Sequence, residues 1–136
     1  MIVVDTNVIA YLWVDGPMTA SAVALARADD EWVAPPLWRS EMRNLLATLA
    51  RAGRLTELQA LRSAANAESQ MRGAEQVVET SDVLTLAVRS GCSAYDCEFV
   101  ALAVSLGVPF VTCDRKLVRA FPDVARLLPG RVEAES

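Results

Sequence analysis

The chain has 136 residues, of which 53% are hydrophobic, and its 13 basic against 17 acidic residues give a net charge of −4. This composition excludes a disordered polypeptide and predicts one domain, spanning 1–136, with its own hydrophobic core. The acidic balance also argues against a protein that holds nucleic acid mainly through non-specific contacts with phosphates.

The sequence contains no histidine. This excludes Ser-His-Asp and Cys-His nucleophile pairs, imidazole proton relays and histidine metal sites. The three cysteines form no CxxC pair, so neither a disulfide framework nor a zinc site is indicated. A hydrolase of this composition has to rely on carboxylates, which at neutral pH usually act together with a hard metal ion.

Nothing in the chain looks like a membrane segment. No apolar run approaches the ~20 residues that span a bilayer. The apolar N-terminal stretch is interrupted by Asp5 and lacks the basic start of a signal peptide. We therefore expect a cytoplasmic protein without a membrane partner.

Short apolar runs alternate with helical patterns along the chain, which predicts an α/β fold with a parallel sheet covered on both faces. The predicted strands are 2–4, 32–36, 75–79, 108–112 and 124–128. The predicted helices are 6–13, 19–27 (capped by Thr19), 37–53, 55–72, 81–89, 93–107 (capped by Ser93) and a short one from 114. Gly53 joins two of them into an antiparallel helical hairpin, and 132–136 resemble a loose tail.

Four acidic residues fall at corresponding places in this pattern. Asp5 directly follows the first strand, and Glu41 is expected in the first turn of the helix after the second strand. Asp96 lies in the first turn of the helix that leads into strand 108–112, and Asp114 follows that strand by one residue. Because parallel strands all end at one edge of a sheet, these four carboxylates are expected to gather on one rim.

Each acid also has a purely structural explanation. Asp5 or Thr6 can cap the first helix, Asp114 can cap the last, and Ser93-x-x-Asp96 is close to a capping box. Taken together, however, two carboxylates ~4 Å apart repel by about 4 kcal/mol at an intermediate dielectric, and a divalent cation removes that cost. The pattern therefore favours a metal site over four independent caps.

Four stretches, "VVDTN", "SEMRNLL", "SAYDCEFVALA" and "VTCDRKL", resemble in order and spacing the PIN-domain ribonucleases, and among them the toxins of VapBC-type toxin–antitoxin modules. The resemblance implies a three-layer α/β/α fold with a central, mainly parallel sheet of four to five strands and a protruding helical hairpin. It implies a metal-dependent endoribonuclease that hydrolyses RNA phosphodiesters, with RNA as substrate, a cognate antitoxin as partner and a homodimer as assembly.

The same resemblance implies roles for individual residues. The catalytic acids that hold Mg²⁺, or Mn²⁺ in its place, are Asp5, Glu41, Asp96 and Asp114. Residues expected to orient these acids are Thr6, Asn7, Asn44 and Thr112. Glu98 is a further candidate near the metal, and Arg115 and Lys116 either contact an RNA phosphate or form a solvated first turn.

Two surface hypotheses accompany this site. Arg39, Arg43 and Arg54 fall on one side of the hairpin, either as an RNA track or, more commonly for such residues, as a charged solvent face. An antitoxin tail is expected to place an arginine among the acids and apolar side chains in a groove near Trp13 or Trp38.

Other functions remain open at this point. One is a PIN fold that acts as a non-catalytic or housekeeping RNA-binding module. Another is a haloacid-dehalogenase-type phosphatase, which needs Asp-x-Asp where this chain has Asn7 in the third place. A phosphoacceptor receiver domain needs a second acid near the first strand, and the chain offers Asp5 alone.

Overall fold

The computed structural model describes residues 1–129. The predicted tail, 132–136, lies outside these residues.

A parallel sheet of four strands forms the centre of the described chain. The strands are β1 (Ile2–Val4), β2 (Trp32–Val33), β3 (Phe110–Thr112) and β4 (Ala125–Leu127), in the order β2-β1-β3-β4. Val3 pairs with Val33 on one side and with Phe110 on the other, and Phe110 pairs in turn with Ala125. The predicted parallel sheet of four to five strands is confirmed, with β4 at one edge.

Seven helices surround this sheet within residues 1–129. They are α1 (Thr6–Trp13), α2 (Thr19–Ala28), α3 (Leu37–Arg51), α4 (Glu57–Gln70), α5 (Thr80–Ser90), α6 (Ala94–Leu106) and α7 (Arg115–Ala120). Helix α1 packs against α2, α3 and α4, whereas α6 packs against β1, β3 and α5. The chain is thus an α/β fold of the predicted kind.

The predicted strand 75–79 is wrong. Ala34 forms one isolated parallel bridge with Glu75, in which the Ala34 amide donates to the Ala74 carbonyl over 3.2 Å. The pairing ends there because Pro35 and Pro36 follow Ala34 and have no N–H to donate. The chain then runs outside the sheet, and the side chain of Val77 is 86% exposed.

The second helix begins differently from the prediction. Thr19 is the first residue of α2 and not its cap. Its hydroxyl accepts a hydrogen bond from the Gly16 amide over 3.0 Å and donates to the Val14 carbonyl over 3.2 Å. The side chain therefore stabilises the turn before the helix.

The helical hairpin of α3 and α4 has the predicted antiparallel arrangement. Gly53, between the two helices, has a φ of +74°, which glycine adopts without strain. Arg39 near the start of α3 lies 3.5 Å from Glu68 near the end of α4. The two helices therefore run side by side in opposite directions.

The three tryptophans serve packing. Trp32 and Trp38 are buried, and the indole of the half-buried Trp13 donates to Gln70 over 2.7 Å. In the core, Phe99 of α6 stacks on Phe110 of β3, with the ring centroids 5.9 Å apart. Among residues 1–129, no helix is both long and apolar enough to cross a membrane.

Candidate active site

Asp5 lies between the end of β1 and the start of α1 and forms hydrogen bonds on both sides. Its Oδ1 accepts a hydrogen bond from the Thr6 amide over 2.8 Å, which makes it the N-cap of α1. Its Oδ2 accepts from the Thr112 hydroxyl over 2.7 Å, and its own amide donates to the Val111 carbonyl. Capping therefore uses one carboxylate oxygen and leaves the other directed toward the end of β3.

Burial governs the acidity of this residue. It raises the pKa of Asp5 to about 6, against an ordinary value of 3.8. The hydrogen bonds from Thr112 and Thr6 lower the pKa, and the charges of Asp96 and Glu41 raise it by smaller amounts. The negative charge of Asp5 is thus held in an unfavourable place at neutral pH.

Glu41 reaches the same region from α3. The Thr6 hydroxyl donates to its Oε1 over 2.6 Å, which ties α3 to the first turn of α1. Burial raises the pKa of Glu41, the bond from Thr6 lowers it, and the charge of Asp96 raises it.

Asp96 lies in the first turn of α6. Its amide donates to the Ser93 hydroxyl over 3.0 Å, so Ser93 caps the helix as predicted. Burial raises the pKa of Asp96, the Ser93 hydroxyl lowers it, the charge of Asp114 raises it and that of Lys116 lowers it. Lys116 is thus close enough for its charge to act on Asp96.

Asp114 is an exposed helix cap. Its Oδ1 accepts from the Lys116 amide over 2.9 Å at the start of α7. Its amide donates to the Thr112 hydroxyl over 3.0 Å, and that hydroxyl in turn donates to Asp5. Thr112, which is fully buried, thereby links the backbone of Asp114 to the carboxylate of Asp5.

The acids lie near enough to one another for the charge of one to raise the pKa of its neighbours. The charge of Asp114 raises the pKa of Asp96. The charge of Asp96 raises the pKa of Asp5 and of Glu41, and the charge of Glu41 raises the pKa of Glu98. We call this series the acidic row. No three histidine, cysteine or acidic side chains in the part of the chain that the structure describes lie close enough together to hold a metal ion. Within the described residues, the carboxylates therefore share one region without forming a group of three.

The four residues expected to orient the acids divide into two pairs. Thr6 and Thr112 donate to Glu41 and Asp5 as described. Asn7 and Asn44 are exposed, and within the described residues neither side-chain amide forms a hydrogen bond to the acids. The backbone carbonyl of Asn44 accepts instead from the Thr48 hydroxyl over 2.8 Å.

Two neighbours of Asp5 were missed in the sequence analysis. Burial raises the pKa of the Tyr11 hydroxyl and of the Cys113 thiol, and the charge of Asp5 raises both further. Both groups are therefore neutral at physiological pH. The position of Cys113 between Thr112 and Asp114 was the only indication in the sequence.

Two of the three hairpin arginines named in the sequence analysis, Arg39 and Arg43, pair with acidic side chains of the chain. Arg39 Nε donates to Glu75 Oε2 over 2.6 Å, and Arg43 lies 3.9 Å from Glu68. These pairs favour the charged-surface interpretation over an RNA track. Arg115 and Lys116, by contrast, are exposed on α7 at the edge of the acidic row.

The comparison with known families decides the family of the chain. A family model described as PIN domain matches residues 2–125. The chain belongs to the PIN-domain family. This removes the phosphatase and receiver alternatives, because they belong to other folds.

Individual relatives of this PIN domain agree with the assignment. It is 32% identical over 130 residues to Ribonuclease VapC3 of Pyrobaculum aerophilum. The alignment covers 89% of this chain and 95% of that protein. The crystal structure of PAE2754 from Pyrobaculum aerophilum superposes with a TM-score of 0.71 at 25% identity, over 93% of this chain and 90% of that one. The crystal structure of FitAcB from Neisseria gonorrhoeae has the same fold, with a TM-score of 0.68 at 20% identity over 95% and 97% of the two chains.

Proposed function

We propose that this PIN domain is a metal-dependent endoribonuclease and the toxin of a type II toxin–antitoxin system. The observation that carries the proposal is the 32% identity to Ribonuclease VapC3, which extends over 95% of that protein. The acidic row supports it, because Asp5, Glu41 and Asp96 are supplied by separate elements to one region.

The donor atoms of the acidic row fit a hard divalent cation. Asp5, Glu41, Asp96 and Asp114 offer carboxylate oxygens, which Mg²⁺ and Mn²⁺ prefer. Burial raises the pKa of the first three, so a bound cation relieves charges that the protein solvates poorly. Mg²⁺ usually keeps several waters and binds one or two carboxylates together with substrate phosphates.

When bound, such an ion supplies an activated water and neutralises charge on the phosphodiester. The chain's own residues orient the participants. Thr6 and Thr112 fix the carboxylates of Glu41 and Asp5 through their hydroxyl groups. Arg115 and Lys116 bind the RNA phosphates beside the acids, since both are exposed and Lys116 lies near Asp96.

The proposal includes partners and a location. A cognate antitoxin restrains the nuclease, and the protein acts on RNA in the cytoplasm. We also propose a homodimer, because most soluble oligomers have two-fold symmetry. The apolar residues Leu58 and Leu61 of α4 are 55% and 63% exposed and offer a surface for such a contact. Light scattering of the purified protein and of Leu61→Glu tests this assembly.

RNA cleavage by purified protein tests the activity. Wild type is incubated with total RNA in Mg²⁺, in Mn²⁺ and in EDTA, alongside Asp5→Asn and a surface control, Asp15→Asn. We expect cleavage by wild type and by the control in either metal, and none by Asp5→Asn or in EDTA. Equal cleavage by wild type and Asp5→Asn would refute the catalytic role of the row.

A non-catalytic RNA-binding PIN domain is the second candidate. The absence of a three-acid group within residues 1–129 favours it. In that case RNA binds with equal affinity to wild type and Asp5→Asn, and no RNA is cleaved in either metal. The same experiment therefore separates the two functions.

A further inference from the structure

Helix α7 carries three basic side chains on one exposed face, at the end of the acidic row where Asp114 lies. Leu117 of this helix is buried, so the opposite side of α7 faces solvent. At about 100° per residue, Arg115, Lys116 and Arg119 all fall on that side, and all are exposed. Within residues 1–129, none of these side chains forms an ion pair with an acid. Their charges are therefore available to an anionic ligand.

Hydrogen bonds fix the start of α7 relative to the acids. The Thr112 hydroxyl accepts from the Asp114 amide over 3.0 Å and donates to Asp5 over 2.7 Å. The Lys116 amide donates in turn to the Asp114 carboxylate over 2.9 Å. The first turn of α7 is thus tied through a chain of hydrogen bonds to the carboxylate of Asp5, and the exposed face of the helix begins beside the acids.

The spacing of the arginines on this face suits successive phosphates. Arg119 lies in the last turn of α7, about 6 Å further along the helix axis than Arg115. Neighbouring phosphates of an extended RNA strand have a comparable spacing, so each arginine can bind one of them. A basic residue in the last turn also interacts favourably with the carbonyls at a helix end. A control for Arg119 therefore needs the same position in another helix.

The opposite end of the acidic row has no such charges. Glu98 ends the row there, since the charge of Glu41 raises the pKa of Glu98. The described residues that line the surface beside Glu98 are Pro36, Val77, Val78, Thr80, Val83 and Leu84. None of these side chains is basic, and the charge of Glu98 repels phosphates. The two ends of the row therefore differ in the sign of their charge.

We propose that the RNA is held through its phosphates on one side of the cleaved bond only. On that side the strand runs over α7, where Arg119 binds the phosphate next to the one held by Arg115 and Lys116. On the other side, toward Glu98, the strand forms no ionic contact with the protein. The proposal rests on the proposed function, because it states how the same site holds its substrate.

Uncharged linkages in the substrate test the one-sided contact without altering the protein. The probe is a synthetic RNA oligonucleotide that contains a site at which wild type cleaves. It carries one methylphosphonate beside a 2′-O-methyl ribose, at successive positions on either side of the cleaved bond. The same oligonucleotide with an ordinary phosphate beside the 2′-O-methyl ribose is the control. We expect kcat/KM to fall about tenfold at one or two positions on one side, and less than about twofold at every position on the other. Equal losses on the two sides, or no loss on either, would overturn the proposal.

Arg119→Gln tests the residue, and Arg89→Gln is its matched control. Arg89 is exposed in the last turn of α5, so both variants lose one charge at the same position of a helix. We expect Arg119→Gln to lower kcat/KM about tenfold, Arg89→Gln to lower it less than about twofold, and Arg119→Lys to retain most of the activity. In Arg119→Gln, one of the sensitive methylphosphonates is expected to lose its effect, because the contact is already absent. An Arg119→Gln enzyme equal to Arg89→Gln, or one that every sensitive methylphosphonate still slows tenfold, contradicts the assignment.

A binding measurement distinguishes failure of this proposal from failure of the proposed function. The affinity of the single-stranded oligonucleotide for Asp5→Asn, with and without Arg119→Gln, is measured by fluorescence anisotropy over a range of salt concentrations. Loss of one phosphate contact is expected to weaken binding and to reduce the slope of the logarithm of affinity against that of salt by about 0.7. Cleavage by wild type together with an unchanged slope overturns this proposal alone. Absence of cleavage by wild type in both Mg²⁺ and Mn²⁺ refutes the proposed function.

Discussion

The Thr6 hydroxyl donates to Oε1 of Glu41 over 2.6 Å, joining two residues that are 35 positions apart in the chain. Thr112 makes the corresponding bond to Asp5 over 2.7 Å, across 107 positions. Two buried threonines thus hold two carboxylates whose pKa values burial raises. Each hydroxyl favours the charged form of its partner and fixes where that charge lies.

The first prediction concerns Thr6→Val, which keeps the shape of the side chain and removes its hydroxyl. The pKa of Glu41 is expected to rise further, because the bond from Thr6 lowers it. The free energy of unfolding at neutral pH is expected to fall by about 1 kcal/mol, a value suited to a half-buried carboxylate. Titration of Glu41 by NMR and urea denaturation measure the two effects. Thr6→Ser retains the hydroxyl and is expected to behave as wild type; an unaltered Glu41 titration in Thr6→Val would contradict the prediction.

The second prediction is that Asp5→Asn gains stability while it loses activity. Asparagine remains a good N-cap, and its amide can donate to the Thr112 hydroxyl in place of the present bond. Because burial raises the pKa of Asp5 to about 6, removal of the charge is expected to raise the melting temperature of the metal-free protein. Thermal unfolding in EDTA and RNA cleavage in Mg²⁺ are measured on the same preparation. Asp5→Ala, which lacks the cap, is the control and is expected to be less stable than Asp5→Asn by about 1 kcal/mol. A metal-free Asp5→Asn protein less stable than wild type would show that burial of this charge is not costly.

The third prediction is a pH dependence of stability without metal. The folded-state pKa of Asp5 is about 6 and its ordinary value is 3.8, so between these values the folded state binds more protons than the unfolded state. The free energy of unfolding therefore increases as the pH falls from about 7 to about 4, by about 3 kcal/mol from this residue. Glu41 and Asp96, whose pKa values are also raised, act in the same direction.

Urea denaturation in EDTA at several pH values measures this effect. The difference between wild type and Asp5→Asn isolates the contribution of Asp5 from that of other carboxylates. We expect the difference to shrink as the pH falls through 6 and to be smaller in saturating Mg²⁺. A difference that is constant from pH 7 to pH 4 would show that the Asp5 pKa is not raised.

The fourth prediction concerns Glu75, whose Oε2 accepts hydrogen bonds from the Trp38 indole and from Arg39 Nε, each over 2.6 Å. Glu75→Ala leaves the N–H of a fully buried tryptophan without an acceptor. The expected loss of stability is about 1 to 3 kcal/mol. Glu68→Ala removes longer contacts to Arg39 and Arg43 and is expected to cost less than about 1 kcal/mol. Urea denaturation compares the two variants, and equal losses would mean that Glu75 acts only as a surface ion pair.

Local sequence patterns determined much of the fold because the interactions behind them are local. The apolar run Ile2–Val4, the Ser93 cap and the glycine after α3 each depend on residues a few positions apart. The parallel sheet follows from alternation of strands and helices, and the common edge of its strands placed Asp5 and Asp96 in one region. The resemblance of four short motifs also identified the PIN family before any contact was known.

Only the tertiary structure decided which residues contact one another. The apolar segment Val77–Val78 has the composition of a strand. It forms no strand because Pro35 and Pro36, which follow Ala34, have no N–H with which to continue the pairing. Thr6 and Asn7 are adjacent polar residues, yet the backbone turns Thr6 toward Glu41 and leaves Asn7 in solvent. The pKa of Asp5 likewise depends mainly on burial, and the hydroxyl that lowers it most belongs to Thr112, 107 positions away. Sequence spacing specifies where an acid lies along its own element, whereas its solvation depends on what the rest of the chain packs against it.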